Sequence, residues 1–331
     1  MRGVRTWLQQ TDPTLRWQVE RDLLDKPSEV WQATRARIAH QGDGAAMLSH
    51  QDADGQWAGG AFFPAAFQER LAAGEGPSEE EGQPFTATTW SLTALREWGM
   101  DPAPLAGTAA ALESVRWEYD ELPYWDGEVD VCINAMTLAN GAWLGRDMTA
   151  LADWFPAHQL PDGGWNCEWV EGSTRSSFHS TLQAIRGLLA YERIVGPRPD
   201  LREARHRGEE YLLARRLRYR LSTGEPVGRW VDLIMYPSRS VCTLLAALDV
   251  LTDAAAHDDR APDPRMGEAV ERLRAARGAD GRWEQEHLFP GAVWFPLDVP
   301  PGEPSPWVTF LALRILRRWD AEHVQAPSPA T

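Results

Sequence analysis

Three stretches of the chain repeat one pattern: QDADGQW at 51–57, QLPDGGW at 159–165 and GADGRW at 278–283. Each contains an Asp-Gly turn, one further residue and then a tryptophan, and each lies between two segments with the apolar spacing of helices. A short motif that recurs between helices is typical of a stacked helical repeat. The three tryptophans are therefore predicted to be structural residues that pack between helices.

Helical periodicity continues along most of the 331 residues. Apolar or small-residue segments alternate with charged segments that carry a single apolar stripe, which indicates buried and surface helices in turn. The predicted buried helices are 14–24, 86–99, 131–144, 177–190, 240–251 and 306–318. We predict an all-α fold, a single (α/α)6 toroid over residues 1–320 with inner and outer rings, and a flexible C-terminal tail at 321–331.

The segments between the buried helices complete this prediction. Charged segments at 28–40, 104–116, 148–158, 199–217 and 264–277 are predicted to be surface helices. Residues 60–83 contain GEGPSEEEG and are predicted to form a solvated loop, or alternatively a mobile lid. Residues 286–305 are predicted to be irregular.

Composition restricts the classes of function. The net charge of −15 argues against a nucleic-acid surface, because phosphate contacts need clustered positive charge. No apolar run approaches the length of a membrane span, and the N-terminal sequence does not resemble a secretion signal. Three cysteines do not suggest a disulfide framework. We predict a cytoplasmic protein and leave peripheral membrane contact open.

The three repeated stretches resemble the QW repeats of the squalene-hopene cyclase and protein prenyltransferase β-subunit superfamily. The third stretch lacks the glutamine. The chain is similar to short bacterial proteins with one toroid that are described as squalene cyclase-like. This resemblance implies the fold far more strongly than the reaction, because one fold supports many functions.

The segment WDGEVDVCIN at 125–134 places Asp126, Glu128 and Asp130 directly before an apolar helix. Such residues can simply cap the helix and complement its dipole. In triterpene cyclases a D-x-D-D run begins an inner helix, and its middle aspartate protonates the substrate. The stretch from Glu128 to Val131 resembles that run without its first and last aspartates. The resemblance implies a terpenoid cyclase-like enzyme with Asp130 as the acid.

Such an enzyme would hold an isoprenoid or other apolar substrate in a central cavity, where aromatic faces stabilise cations. The candidate substrate-binding tryptophans are Trp90, Trp125, Trp294 and Trp307, although each is also a reasonable core residue. Arg175 and Arg239 precede inner helices and are candidates for binding a diphosphate or carboxylate. Pairing with surface carboxylates is the alternative for both arginines.

A zinc enzyme is a second hypothesis. Prenyltransferase β-subunits use Asp-x-Cys at the start of one inner helix and a histidine at the start of the next, a pattern that Asp130, Cys132 and His179 resemble. Cys167 is a candidate fourth ligand. These four side chains are a reasonable tetrahedral zinc set, and three of them with water would suit a lyase, hydratase or transferase.

Two further hypotheses come from other classes. Carbohydrate-active enzymes with α/α barrels use paired carboxylates and tryptophan platforms, which the acidic charge and the 17 tryptophans fit. A non-catalytic binding scaffold also stays open. The sequence contains no P-loop, no GxSxG and no dinucleotide-binding fingerprint.

Overall fold

The computed structural model describes residues 2–118 and 121–323. Across these residues the chain forms α-helices, short 3-10 helices and isolated bridges, with no β-strand, so the predicted all-α class is confirmed. The α-helices are α1 (Arg2–Leu8), α2 (Pro13–Asp22), α3 (Ser28–Arg35), α4 (Gly42–Ser49), α5 (Ala65–Ala72), α6 (Thr88–Glu97), α7 (Thr108–Ala111), α8 (Val131–Trp143), α9 (Thr149–Ala157), α10 (Phe178–Val195), α11 (Pro199–Ala214), α12 (Leu244–His257), α13 (Gly267–Ala275) and α14 (Pro306–His323). None of the described helices has both the length and the apolarity needed to cross a bilayer.

Six of these helices surround one cavity. They are α2, α6, α8, α10, α12 and α14, and they coincide with the segments predicted to be inner helices. Neighbours in this ring contact each other from α6 through α14, and α14 returns to α2. The ring closes between α2 and α6, where the Trp17 indole donates to the Trp98 carbonyl at 2.7 Å. This arrangement is consistent with an α/α toroid.

The three repeated turns make the same hydrogen bonds. In each, the tryptophan backbone N–H donates to a threonine hydroxyl in the first turns of the next inner helix, at 3.0–3.1 Å. Its indole N–H donates to a carbonyl ten residues earlier, at 2.7–2.9 Å. The sets are Trp57 with Thr88 and Met47, Trp165 with Thr181 and Phe155, and Trp283 with Thr309 and Leu273. All three tryptophans are 0% exposed, as structural residues should be.

The third turn keeps a hydrogen bond of the other two although it lacks their glutamine. Gln51 and Gln159 donate to the glycine carbonyl four residues later, at 3.1 and 2.6 Å. In the third copy Arg277 occupies the equivalent position and donates to the Gly281 carbonyl at 3.1 Å. Each accepting glycine has a φ of 85–95°, a conformation that glycine adopts without the steric cost of a side chain. A long side chain with a terminal N–H therefore replaces the glutamine.

Two predicted helices are wrong in their extent. The segment 104–116 is not one helix but two 3-10 pieces around the single turn of α7, because Pro102 and Pro104 restrict its start and Gly107 has a φ of 95°. The helix predicted from 240 begins only at Leu244. Arg239 has a φ of 53°, which ends any helical run there, and Thr243 provides the N-cap by accepting from the Ala246 N–H.

Two segments between the inner helices, 60–83 and 286–305, were predicted to lack helices, and this prediction is correct only for the second. Residues 60–83 contain α5, so this segment is not wholly a loop, and α1 and α4 were also not predicted. Residues 286–305 have no helix, as predicted, and pair with the other connection through the Phe85 N–H and the Ala292 carbonyl at 2.8 Å. Of the predicted tail, 321–323 continue α14 and 324–331 lie outside the described residues.

Candidate functional site

The central cavity has a volume of about 400 Å³, within the usual range for small-molecule sites. The six inner helices supply most of its wall, and residues 235–239 with Leu297 supply the rest. Large apolar side chains dominate the wall near the starts of α6 and α14, including Trp90, Met136, Leu245 and Trp307. This part of the cavity suits an apolar ligand.

Positive charge is concentrated in the same cavity. Six arginines and three carboxylates line it, whereas the whole protein has a net charge of −15. They are Arg21, Arg96, Arg186, Arg193, Arg239 and Arg314, with Glu97, Asp249 and Asp253. A formal charge of +3 in a cavity of an acidic protein favours an anionic ligand.

Two of the cavity arginines are closely paired with carboxylates. Arg314 makes three hydrogen bonds with Asp249, at 2.7, 2.9 and 3.2 Å, and Arg193 contacts Asp253 at 2.6 Å. Bidentate guanidinium–carboxylate pairs are a stable way to hold partly buried charge. These two arginines therefore stabilise the ring and contribute little free positive charge.

Of the remaining cavity arginines, Arg21 pairs with its neighbour Asp22, whereas Arg96 and Arg186 share one carboxylate. Glu97 Oε1 lies 3.4 Å from Arg96 and 3.9 Å from Arg186. Within the described chain Arg239 belongs to no ion pair, and its guanidinium instead lies 4.1 Å from the centre of the Phe85 ring. Burial lowers the pKa of Arg239 to about 10, so the group is still a cation at neutral pH. Three guanidinium groups therefore face one carboxylate.

The structure brings only part of the predicted substrate site together. Trp90, Trp307 and Arg239 line the cavity. Trp125, Trp294 and Arg175 are described residues outside that lining. Trp125 donates to the Ala109 carbonyl at 2.9 Å, Trp294 stacks on His50 with ring centres 4.1 Å apart, and Arg175 is exposed.

A second polar site lies where α8 and α10 begin. Cys132 is in the first turn of α8, and Cys167 starts the short 3-10 helix that follows the second repeated turn. Their sulfur atoms are 3.6 Å apart. Ser180, in the first turn of α10, places its hydroxyl 3.3 Å from the Cys167 sulfur. Three elements distant in sequence thus converge on one pair of thiols, which we name the thiol pair.

Hydrogen bonding shifts the pKa values of the two thiols in opposite directions. The bond with Cys132 lowers the pKa of the Cys167 thiol, whereas the same bond, together with burial, raises the pKa of Cys132. The Ser180 hydroxyl is a hydrogen-bond partner of both thiols and lies 3.3 Å from the Cys167 sulfur. We therefore assign Cys132 as the protonated partner and Cys167 as the better-stabilised thiolate.

Asp130 lies beside the thiol pair and is not among the residues that line the cavity. Burial raises its pKa, and a hydrogen bond with Cys167 partly offsets that rise. Asp130 occupies the N-cap position of α8, yet within the described chain its carboxylate accepts no bond from the first helical turn. Its closest functional neighbour is thus a thiol.

The other two predicted acids have different surroundings. Glu128 is buried, and its carboxylate accepts from the Asp130 N–H at 2.6 Å. The Asn134 side chain bonds to the backbone of Glu128 in both directions, at 2.6 Å each. Glu128 therefore holds the turn before α8, whereas Asp126 is exposed at its surface.

The predicted zinc ligands are only partly assembled. Asp130, Cys132 and Cys167 are neighbours, but His179 Nδ1 accepts from the Cys242 N–H at 2.9 Å, and its ring lies 4.1 Å from that of Trp230. Burial lowers the pKa of His179. Three of the predicted ligands fit a thiolate-rich zinc site by their chemistry, and zinc binding stays a prediction.

Among the described residues, His206, Glu209 and Asp258 are the only group with the spacing of metal ligands, so Asp130, Cys132 and Cys167 do not have it. The carboxylates of this group already bond to arginines. Arg205 contacts both Glu209 and Asp258, and Arg260 does the same from the other side. The group is therefore an ion-pair network in which arginine takes the place of a metal ion.

Sequence reasoning missed Arg96, Arg186 and Glu97 in the cavity and Ser180 at the thiol pair. One signal was available. Arg186 lies in the middle of the predicted inner helix α10, and a charge within an inner helix must face either a partner or a cavity. No protein-family model matches the chain, and no match was found among curated proteins or solved structures.

Proposed function

We propose that the central cavity binds an apolar molecule that carries an anionic group, and that the protein is a terpenoid cyclase-like enzyme with an isoprenoid substrate. One observation supports this more than any other. Arg239 and Arg186 lie in an aromatic cavity with only the distant carboxylate of Glu97 between them. A cation held without a close partner in a partly buried site favours an anion from outside.

The two halves of such a substrate match the two parts of the wall. Guanidinium groups bind the oxygens of a diphosphate or carboxylate through paired hydrogen bonds. The faces of Trp90 and Trp307 offer contact area for an isoprenoid chain, and such faces also stabilise carbocations. A prenyl diphosphate combines both groups in a molecule small enough for a cavity of about 400 Å³.

The proposal assigns no proton transfer to Asp130. Its carboxyl is hydrogen-bonded to Cys167 and lies outside the cavity lining, so it is not positioned to protonate a molecule bound there. This differs from the role that the resemblance to triterpene cyclases implies. The proposed substrate carries its own leaving group, and binding it requires no acid at that position.

The experiment is isothermal titration calorimetry with farnesyl diphosphate and, as the matched neutral ligand, farnesol. We expect Arg239→Met to weaken binding of the diphosphate about 10- to 100-fold, because a hydrogen bond to a charged group contributes roughly 1.5–3 kcal/mol. Farnesol binding should change little. The control is Arg265→Met, whose guanidinium is paired with Glu210 and Asp263 at the surface.

Two results would contradict the proposal: no binding of farnesyl diphosphate by the wild-type protein, or equal affinity in wild type and Arg239→Met. Turnover is checked separately. Incubation with farnesyl diphosphate and gas chromatography of the extract should show a cyclic hydrocarbon or alcohol that the Arg239→Met protein forms more slowly. Binding without any product would support the cavity assignment and contradict the enzyme assignment.

A further inference from the structure

We propose that the thiol pair is a site of reversible oxidation, in which Cys167 reacts with a hydroperoxide and Cys132 then closes a disulfide with it. This inference is independent of the ligand of the central cavity. It rests on the placement of three side chains: Cys132, Cys167 and Ser180.

The distance between the two sulfur atoms is suited to closure. They lie 3.6 Å apart, and a disulfide bond is about 2.0 Å long, so the sulfurs must approach by only about 1.6 Å. Cys167 sits in a five-residue 3-10 helix, an element with weaker hydrogen bonding than an α-helix. Both cysteine residues are partly exposed, whereas Cys242 is buried.

Hydroxyl groups next to Cys167 fix its role as the reacting thiol. Ser180 Oγ accepts from the Cys167 N–H at 3.2 Å and from the Ser177 hydroxyl at 2.9 Å. Ser177 Oγ in turn accepts from the Ser180 N–H at 3.0 Å. With two donors already directed at Ser180 Oγ, its own hydrogen is left for the thiol pair, where the Cys167 sulfur lies 3.3 Å away. Ser180 therefore stabilises negative charge on Cys167.

The reaction begins at Cys167. Its sulfur attacks one peroxide oxygen, and its thiol proton passes to the departing oxygen. The O–O bond breaks, an S–O bond forms, and the second oxygen leaves as hydroxide, which takes up a proton to become water. The product on Cys167 is a sulfenic acid.

Cys132 then resolves that intermediate. Its sulfur attacks the Cys167 sulfur, an S–S bond forms, and the hydroxyl of the sulfenic acid leaves with the Cys132 proton as a second water. Overall, two thiols and one hydrogen peroxide give one disulfide and two waters. Both thiol sulfurs are oxidised, and the peroxide is reduced by two electrons.

Cys242 provides an internal control. It is 1% exposed, burial raises its pKa to about 12, and it faces neither of the other thiols within the described contacts. Cys242 should therefore stay reduced under conditions that oxidise the thiol pair.

The test treats the reduced, chelator-washed protein with hydrogen peroxide, alkylates the remaining thiols with N-ethylmaleimide and maps the peptides by mass spectrometry. We expect loss of alkylation at Cys132 and Cys167, a Cys132–Cys167 linked peptide, alkylated Cys242 after unfolding, and full reversal by dithiothreitol. In Cys132→Ser the intermediate should persist and add dimedone at Cys167. Cys242→Ser should behave like the wild type.

Ser180→Ala keeps both cysteines and should slow oxidation of Cys167 at least several-fold, which checks the role of the hydroxyl even if a cysteine variant folds poorly. The proposal is overturned if both thiols of the wild type remain alkylated while free glutathione in the same tube is oxidised. It is also overturned if dimedone labels Cys132 rather than Cys167, or if zinc that resists the chelator keeps the pair reduced.

Discussion

Arg205 and Arg239 are both removed from bulk water to a large extent, yet their surroundings are opposite. Arg205 is 0% exposed and bonds to three carboxylates: Glu192 at 2.8 Å, Glu209 at 2.5 Å and Asp258 at 2.8 Å. Arg239 lines the central cavity and has an aromatic face where Arg205 has carboxylates. The Arg205 guanidinium links α10 and α11 to the end of α12 through these ion pairs. The Arg239 guanidinium makes no such link between helices in the described chain.

The comparison indicates that the fold depends on the charge of Arg205 for its stability but does not depend on the charge of Arg239. Removing a guanidinium from water is unfavourable unless close partners replace the lost hydration. Around Arg205 the protein provides those partners itself. Around Arg239 the described chain provides no ion pair, and our proposal attributes this charge to a ligand rather than to stability.

The largest expected effect is the loss of stability when Arg205 is replaced. Arg205→Met should lower the free energy of unfolding by about 3–5 kcal/mol, because it leaves Glu192 buried without its cation and weakens the contacts of Glu209 and Asp258. Urea unfolding followed by circular dichroism measures this. Arg265→Met, at an exposed ion pair, is the control and should cost less than about 1 kcal/mol. Similar losses in the two variants would remove the distinction between them.

The next effect concerns an unpaired carboxyl, Asp298, which accepts hydrogen bonds from Ser305 and Gln285 but forms no ion pair in the described chain. Burial raises its pKa from 3.8 to about 6. Since the folded protein disfavours the charged form, this group's contribution to stability is fully present below about pH 4 and is lost as the pH rises through about 6.

Asp298→Asn removes that ionisation. At pH 7 the variant should therefore be more stable than the wild type, by roughly 1–3 kcal/mol, and the difference should shrink towards pH 4. Urea unfolding at a series of pH values compares the two proteins directly. A difference that is constant with pH, or that grows towards acid, would contradict the assignment of Asp298 as a buried, unpaired acid.

The smallest expected effect on stability comes from replacing Arg239, the cavity arginine without an ion pair in the described chain. Arg239→Met loses a cation–π contact of about 0.5–1 kcal/mol with Phe85 and gains from no longer burying a charge, so the free energy of unfolding should change by less than about 1 kcal/mol. Both side chains meet the same backbone strain at a φ of 53°. A loss as large as that of Arg205→Met would show that Arg239 has a structural role.

Much of the ring was predictable because its signals are local. The Asp-Gly-x-Trp turns and the apolar segments each lie within a short window, and all six predicted inner helices line the cavity. The start of α12 was not predictable in this way, since nothing in YPSRSVCTLL marks Arg239 for a left-handed conformation.

The cavity charges and the thiol pair were less predictable, because residues far apart in the sequence meet there only through tertiary packing. Arg96 and Arg186 share Glu97 although ninety positions separate them in the chain. The proximity of Cys132 and Cys167 followed from neighbouring helix starts, but the partner from α10 is Ser180 rather than His179. Adjacent residues on a helix point about 100° apart, so Ser180 faces the thiols while His179 faces Cys242. A shift of one position along α10 therefore places a hydroxyl, rather than an imidazole, beside the two thiols.

The repeated turns fix the ends of a segment without fixing its length. Each tryptophan is bonded to its threonine in the same way, yet the two residues are 31, 16 and 26 positions apart in the three copies. Helix α5, the 3-10 helix of Cys167 and the irregular stretch 286–305 occupy these intervals. Insertions and exchanges there would leave the ring undisturbed, so these intervals are natural points for evolution, or for loop grafting, to give one scaffold new chemistry.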